Sequence, residues 1–184
     1  MKAKLIVTTL LAAPLVGFAV SHTVPLEPSS KVWVEGTSTV RGFKCAAKTI
    51  DAQVVAEPDA SLAQLVSGAT VVIPVAQLEC GNGTMNEHMR KALKADANPS
   101  ITFTLDSYAL NGSAATLQGT LEMSGQKKPV EIPATISEEG NLIHVKASKP
   151  INMKEWGVKP PSLMLGTMKV KENVTVGFDV AVKR

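Results

Sequence analysis

Alternation constrains this chain more than any other feature. Val174, Val176, Phe178, Val180 and Val182 alternate with Thr175, Gly177, Asp179 and Ala181, and the same period of two returns in one segment after another. Successive side chains of a strand point to opposite faces, so a chain written this way buries one face of a sheet. The pattern recurs at Ile101, Phe103 and Leu105, at Leu117, Leu121 and Met123, at Val130, Ile132, Ala134 and Ile136, and at Ile143, Val145 and Ala147. Before these, strands are expected over Val32 to Glu35, over Thr37 to Ala46 with a bulge or bend at Gly42, and over Ile50 to Glu57. Val71, Ile73 and Val75 supply the inner face of one more, with Pro74 outward or at an edge. Asn111-Gly112 is a tight hairpin signal, and Gly125 to Lys128 and Glu139-Gly140-Asn141 read as further turns. About eight strands with no strand-helix-strand rhythm predict one all-β domain, an antiparallel barrel or a sandwich.

One helix interrupts the pattern. Gly81-Asn82-Gly83 makes a turn, and Thr84 with Glu87 three places on predicts a capping box. Met85, Met89 and Leu93 then fall on one apolar stripe, with Arg90, Lys91 and Lys94 in water. Asn98 before Pro99 ends it. Such a helix between strands is expected to lie across a sheet as a strap or lid, and Ser61 to Val66 is expected to hold a helical turn or two.

The first 21 residues read differently. Lys2 and Lys4 precede an apolar run from Leu5 to Val20, and Ala19-Val20-Ser21 places small residues at a cleavage spacing, the pattern of a secretory signal peptide. An uncleaved anchor is the alternative, against which stand the shortness of the run and Pro14. Residues 22–30, with Pro25 and Pro28, are expected as an extended leader, and residues 31–184 as the single folded domain. Without Lys2 and Lys4 the 19 basic residues fall to 17, against 16 acidic, so the remainder is nearly neutral. No basic stripe with interleaved aromatics is present, which excludes nucleic acid as an expected partner. Cys45 and Cys80 in a secreted chain are expected to form a disulfide, with a reactive thiol as the alternative.

Four stretches, taken together and in order, resemble the YceI-like family of lipid- or polyisoprenoid-binding barrels. Asn86-Glu87-His88-Met89 with Asn98-Pro99-Ser100-Ile101-Thr102-Phe103 is similar to that family's acidic-His run and Tyr-Pro-x-Ile-x-Phe strand. Leu117 to Val130 is similar to its Gly-x-Leu-Thr-x-x-Gly-x-x-Lys-Pro-Val hairpin, Ile151 to Val158 to its Ile-x-Arg-x-x-Phe-Gly, and Ser38-Thr39-Val40 to a motif near its start. Thr37, Asn86 and Met153 stand where relatives often carry a histidine, an acid and an arginine. The cysteine pair points to a sub-branch. The resemblance implies an extended antiparallel lipocalin-like β-barrel, periplasmic or secreted, that holds a long apolar chain. A polyisoprenoid, an isoprenoid quinone or a fatty-acid-like lipid is the ligand class it implies. Apart from the resemblance, a monomer or homodimer open to transient membrane contact is expected.

On that expectation the lumen-lining candidates are Phe103, Leu105, Leu121, Met123, Ile132, Trp156, Val176 and Phe178. Alternation serves a filled core as well as an open cavity, and Trp156 fits either a stopper in the lumen or a core anchor. Arg90, Lys127 and Lys128, the last two at a hairpin tip, are candidates for an anionic head group; a solvated turn and helix face is the plainer reading. His22, His88 and His144 lack the spacing of a metal site, and no nucleophile has a base in reach. Neither a metal, nor a cofactor other than a bound lipid, nor an enzyme is expected. A packed barrel acting as an interaction or stress-protection protein is the second functional reading.

Overall fold

The structure is a computed structural model and describes residues 22–163 and 166–184. The expected signal peptide, residues 1–21, lies outside the described residues. Among those residues the alternating segments become β1 (His22–Val24), β2 (Lys31–Ser38), β3 (Gly42–Ala47), β4 (Asp51–Ala56), β5 (Val66–Pro74), β6 (Leu78–Glu79) and β7 (Ser100–Asn111). They continue as β8 (Ala114–Met123), β9 (Gln126–Glu139), β10 (Leu142–Asn152), β11 (Ser162–Leu163) and β12 (Met168–Lys183). The α-helix is α1 (Gly83–Ala92), and short 3-10 turns span Val75–Gln77 and Met153–Trp156.

All pairings are antiparallel, in the order β1-β4-β5-β7-β8-β9-β10-β12-β2-β3-β6, with β11 against β12. This order does not close into a ring. The sheet curls instead into a half-barrel, so that Val54 of β4 and Val32 of β2, far apart in the order, line one cavity. The all-β class therefore holds, with twelve described strands in place of about eight. The extra ones are chiefly short: β1, β6 and β11 have two or three residues each.

Residues 22–30 hold β1, a bridge at Leu26 and a turn at residues 28–29, so pairing with the sheet begins before Lys31. β1 pairs His22 with Ala56, Leu26 bridges Val182, and the Glu27 amide donates to the Ala181 carbonyl at 2.7 Å. The segment so ties the β4 edge to β12. Ser61 to Val66 forms turns, not helix: Leu65 is buried to 1% exposure, and Tyr108 fixes the loop by donating to the Leu62 carbonyl at 2.5 Å. The expected strand from Thr37 to Ala46 is broken by a turn at residues 39–41, because Ser38 Oγ accepts from the Val40 and Arg41 amides and competes with the ladder.

Inside the curl, Gly119 of β8 sits where a side chain has no room. A Cβ there would lie 2.3 Å from the Thr104 carbonyl and 2.7 Å from the Phe103 ring. Gly119→Ala is expected to cost about 2 to 3 kcal/mol, since backbone must shift as well as ring. Urea unfolding of the two proteins checks this; an unchanged midpoint would show that β7 and β8 separate freely at that point.

Candidate functional site

The helix owes its position to a small polar cluster. Its N-cap is Asn82, not Thr84: Asn82 Oδ1 accepts from the Met85 amide at 3.0 Å, and the Thr84–Glu87 box does not form because both residues already lie inside the helix. Glu87 pairs with Lys91 at 2.6 Å instead, which holds its carboxyl below the usual range. Asn86 is buried; its Oδ1 accepts from the Cys80 amide at 2.7 Å and its Nδ2 donates to Glu79 Oε1 at 2.6 Å. An ionised acid at 86 would have no proton for Glu79, so the amide is the group this neighbour requires. Cys45 of β3 and Cys80 form a disulfide beside this cluster, both cysteines buried.

The Asn86 amide, and after it the Lys48 ammonium 3.0 Å away, hold the Glu79 carboxyl below its ordinary value. A depressed folded-state value means the carboxylate's contribution is fully present above the unfolded value, about 4.3, and fades as pH falls through the folded one. Amide exchange of α1 is therefore expected to accelerate below about pH 4 relative to β12, and Glu79→Gln to flatten that dependence. A pH profile identical in the two proteins would remove Glu79 from the anchoring of the helix.

Beneath the helix and within the curl lie two neighbouring cavities of about 240 and 210 Å³. The upper one lies between α1, the β2–β3 turn and residues Val158, Pro161, Met168 and Val170. The lower one is walled by β2, β4, β5 and β7 to β10 with β12, and Leu26, Leu62 and Leu65 line its far end. Val32, Ile73, Ile101, Leu121, Ile151 and Val176 line both, so the two meet at a shared waist. Their chemistry differs. Met85, Met89, Met123, Met153 and Met168, five of the chain's seven methionines, line the upper chamber together with the disulfide. Branched aliphatic residues, Phe103, Phe178 and Tyr108 line the lower. Flexible thioethers make an adaptable wall, whereas branched side chains make a stiffer one.

Of the expected lining residues, Phe103, Leu105, Ile132 and Phe178 line the lower chamber, Met123 the upper, and Leu121 and Val176 both. Trp156 lines neither. It ends the 3-10 turn, buried in a cluster with Met123 and Val158, with the Lys128 ammonium 5.5 Å from its ring centroid. Arg90, Lys127 and Lys128 also lie outside both linings. Arg90 donates to the Ala76 carbonyl at 3.2 Å, Lys128 donates to the Glu155 carbonyl, and Lys127 faces Glu122 across the ladder. The hairpin tip is Ser124-Gly125, so Lys127 and Lys128 belong to β9. Ser124 itself is spent on structure, donating to the Leu93 carbonyl at 3.2 Å.

The basic side chains that do reach the chambers are Arg41 and His88 above and Lys149 below. Sequence reasoning passed over Arg41 and Lys149 and weighed His88 as a metal ligand or base and not as a lining residue, because nothing local marks a polar residue whose neighbours in space come from another part of the chain. Arg41 Nη2 lies 3.9 Å from Met85 Sδ, joining the β2–β3 turn to the helix. Among the described residues no group of three or more His, Cys, Asp or Glu converges as metal ligands would, and no helix is long and apolar enough to cross a membrane.

A curled antiparallel sheet strapped by one helix over an apolar interior is the architecture of a lipocalin-like β-barrel. Comparison with known proteins names the family. The YceI-like domain matches residues 16–182, and the chain belongs to the YceI-like family. A UPF0312 protein of Pseudomonas paraeruginosa is 27% identical over 97 residues, 48% of this chain and 51% of the relative, so the match spans about half the relative's length. Burkholderia cenocepacia BcnA superposes with a TM-score of 0.70 at 22% identity, covering 83% of this chain and 95% of its own. A polyisoprenoid binding domain from Saccharophagus degradans gives 0.64 at 13%, covering 88% and 97%, and the Campylobacter jejuni YceI protein gives 0.62 at 17%, covering 92% of each. At these identities the structural likeness is one of fold.

Proposed function

We propose that the protein binds a long-chain amphiphile, a polyisoprenoid, isoprenoid quinone or fatty-acid-like lipid, inside the curl of the sheet, and carries it as a periplasmic or secreted protein. The observation that carries this reading is the two-chamber apolar lumen with its shared waist. A protein interior is normally packed to crystal-like density, so adjoining chambers of this size lined by apolar groups give room for an apolar guest. The description of the Saccharophagus degradans domain as polyisoprenoid binding supports the same ligand class. The leader-like first 21 residues and the Cys45–Cys80 disulfide support export.

The tail occupies both chambers through the waist, and the head stays at the upper end, where Arg41 and His88 offer hydrogen bonds. Binding comes from burial of apolar surface, about 25 cal/mol per Å², less the cost of ordering the chain. Affinity is therefore expected to rise with tail length at constant head group, by up to about fourfold per added methylene, until the lower chamber is full. Calorimetric titration with a homologous series measures it. Affinities that ignore tail length and follow the head group would refute the mechanism.

A further inference from the structure

Among the described residues one large hydrophobic side chain is exposed: Val40, at 65%. It stands at the tip of the β2–β3 turn and is held there. Ser38 Oγ accepts from the Val40 amide at 3.2 Å and the Arg41 amide at 3.0 Å and donates to the Arg41 carbonyl at 2.9 Å. The turn is also fastened to the start of β12: Thr39 Oγ1 donates to the Thr167 carbonyl at 2.9 Å and accepts from the Lys169 amide at 3.2 Å. The Val170 amide in turn donates to the Pro161 carbonyl at 3.0 Å. Ser38, Arg41, Pro161, Met168 and Val170 all line the upper chamber, so these three joined segments border its opening.

Their charge is of one sign. Arg41, Lys159, Lys169 and Lys171 are exposed, and among the described residues none has a carboxylate within ion-pair distance. Lys44, Lys48, Lys91, Lys146, Lys154, Lys183 and Arg184 each have one, whereas Lys31, Arg90, Lys94, Lys127, Lys128 and Lys149, elsewhere among the described residues, also lack one. It is the grouping of four cations on joined segments that marks this rim; Lys154 neutralises Glu172, the acid beside Lys171. Among the described residues Val40 alone offers too little dry area for a protein partner, whose interface needs roughly 800 Å² a side. A small apolar tip on a rim whose joined segments carry four cations suits a surface that is anionic outside and apolar a few ångströms in.

We propose that this rim docks on an anionic lipid bilayer, Val40 entering the head-group layer and the four cations meeting lipid phosphates, so that a tail passes between bilayer and upper chamber. The docking geometry stands by itself; only the passage of a tail rests on the carrier reading.

The test is co-sedimentation of the full chain at low salt with vesicles of phosphatidylglycerol and phosphatidylcholine in equal parts, and with phosphatidylcholine alone. Binding is expected to the mixed vesicles only and to disappear as salt rises. Lys169→Glu/Lys171→Glu is expected to weaken it at least about 25-fold, near fivefold for each lysine, and Val40→Asp several-fold. All three positions are exposed, so the fold is retained, and circular dichroism confirms it. Equal binding to both vesicles, binding unmoved by these variants, or a low-salt dimer that Val40→Asp dissociates would overturn the proposal, the last assigning the turn to a second copy. In vesicle-free solution Val40→Asp is expected to bind a soluble amphiphile as the native chain does. Charge-dependent docking by a protein that binds no amphiphile would sink the carrier reading and leave the docking surface standing.

Discussion

Replacing Val176 by tryptophan is expected to lower affinity for a long-tailed amphiphile by about two-hundredfold, while a short homologue that fits the upper chamber loses no more than about threefold. Val176 of β12 pairs with Val34 and Lys149 on its two neighbours and lines both chambers. An indole there occupies the passage that Ile101, Leu121 and Ile151 also border. A tail stopped at that point leaves its distal methylenes in water. Four of them at about 0.8 kcal/mol each come to about 3 kcal/mol, which is the two-hundredfold. Because the ring enters empty space rather than a packed core, the penalty for overpacking stays small, and the melting temperature is expected to move by only a few degrees. Parallel titrations with a long and a short homologue check this. Equal losses for both would show that the chambers do not act as one lumen.

The second large effect concerns stability. Cys45→Ala/Cys80→Ala is expected to lower unfolding free energy by about 3 to 4 kcal/mol, the chain-entropy value for a closed loop of this size. The residues are 35 apart in sequence. β6 has only two residues paired with β3, so the disulfide is the main fastening between β3 and the segment that leads into α1. In a domain of this size the loss corresponds to roughly 10 °C in melting temperature. The helix is expected to loosen first: amide exchange in α1 should accelerate more than in β12. Uniform acceleration across the sheet would assign the disulfide to global stability alone.

The parts of the fold that were legible in the sequence are those governed by local repetition. β7 to β10 and β12 follow from alternation and from the Asn111-Gly112 and Gly140 turns, since each turn fixes the register of its hairpin, while the turn expected over Gly125 to Lys128 falls earlier, at Ser124-Gly125, and leaves residues 126–128 in β9. The same alternation led to most of the lining, because inward positions of a curled sheet face the lumen. Its failures have physical causes. Trp156 lies in a stretch with no periodicity to say which compartment receives it, so a lumen stopper and a core anchor were both open; it is buried with Met123 and Val158 and lines neither chamber. β1 was hidden because three residues carry too short a pattern, and its partner β4 lies 30 residues on. Asn82 took the cap from Thr84 because either residue suits an N-terminus and only the path of the preceding turn decides. The rim of the upper chamber was invisible for a further reason. Thr39 meets Thr167 and Lys169 across more than a hundred residues, and no pattern within either segment announces the other.

The most direct test of a lipid-filled lumen is native mass spectrometry of the protein purified without detergent from the compartment in which it resides, followed by organic extraction. The account predicts a discrete adduct whose mass returns in the extract as one class of long-chain amphiphile. A bare polypeptide mass, unchanged after incubation with isoprenoid quinones and fatty acids, would contradict it.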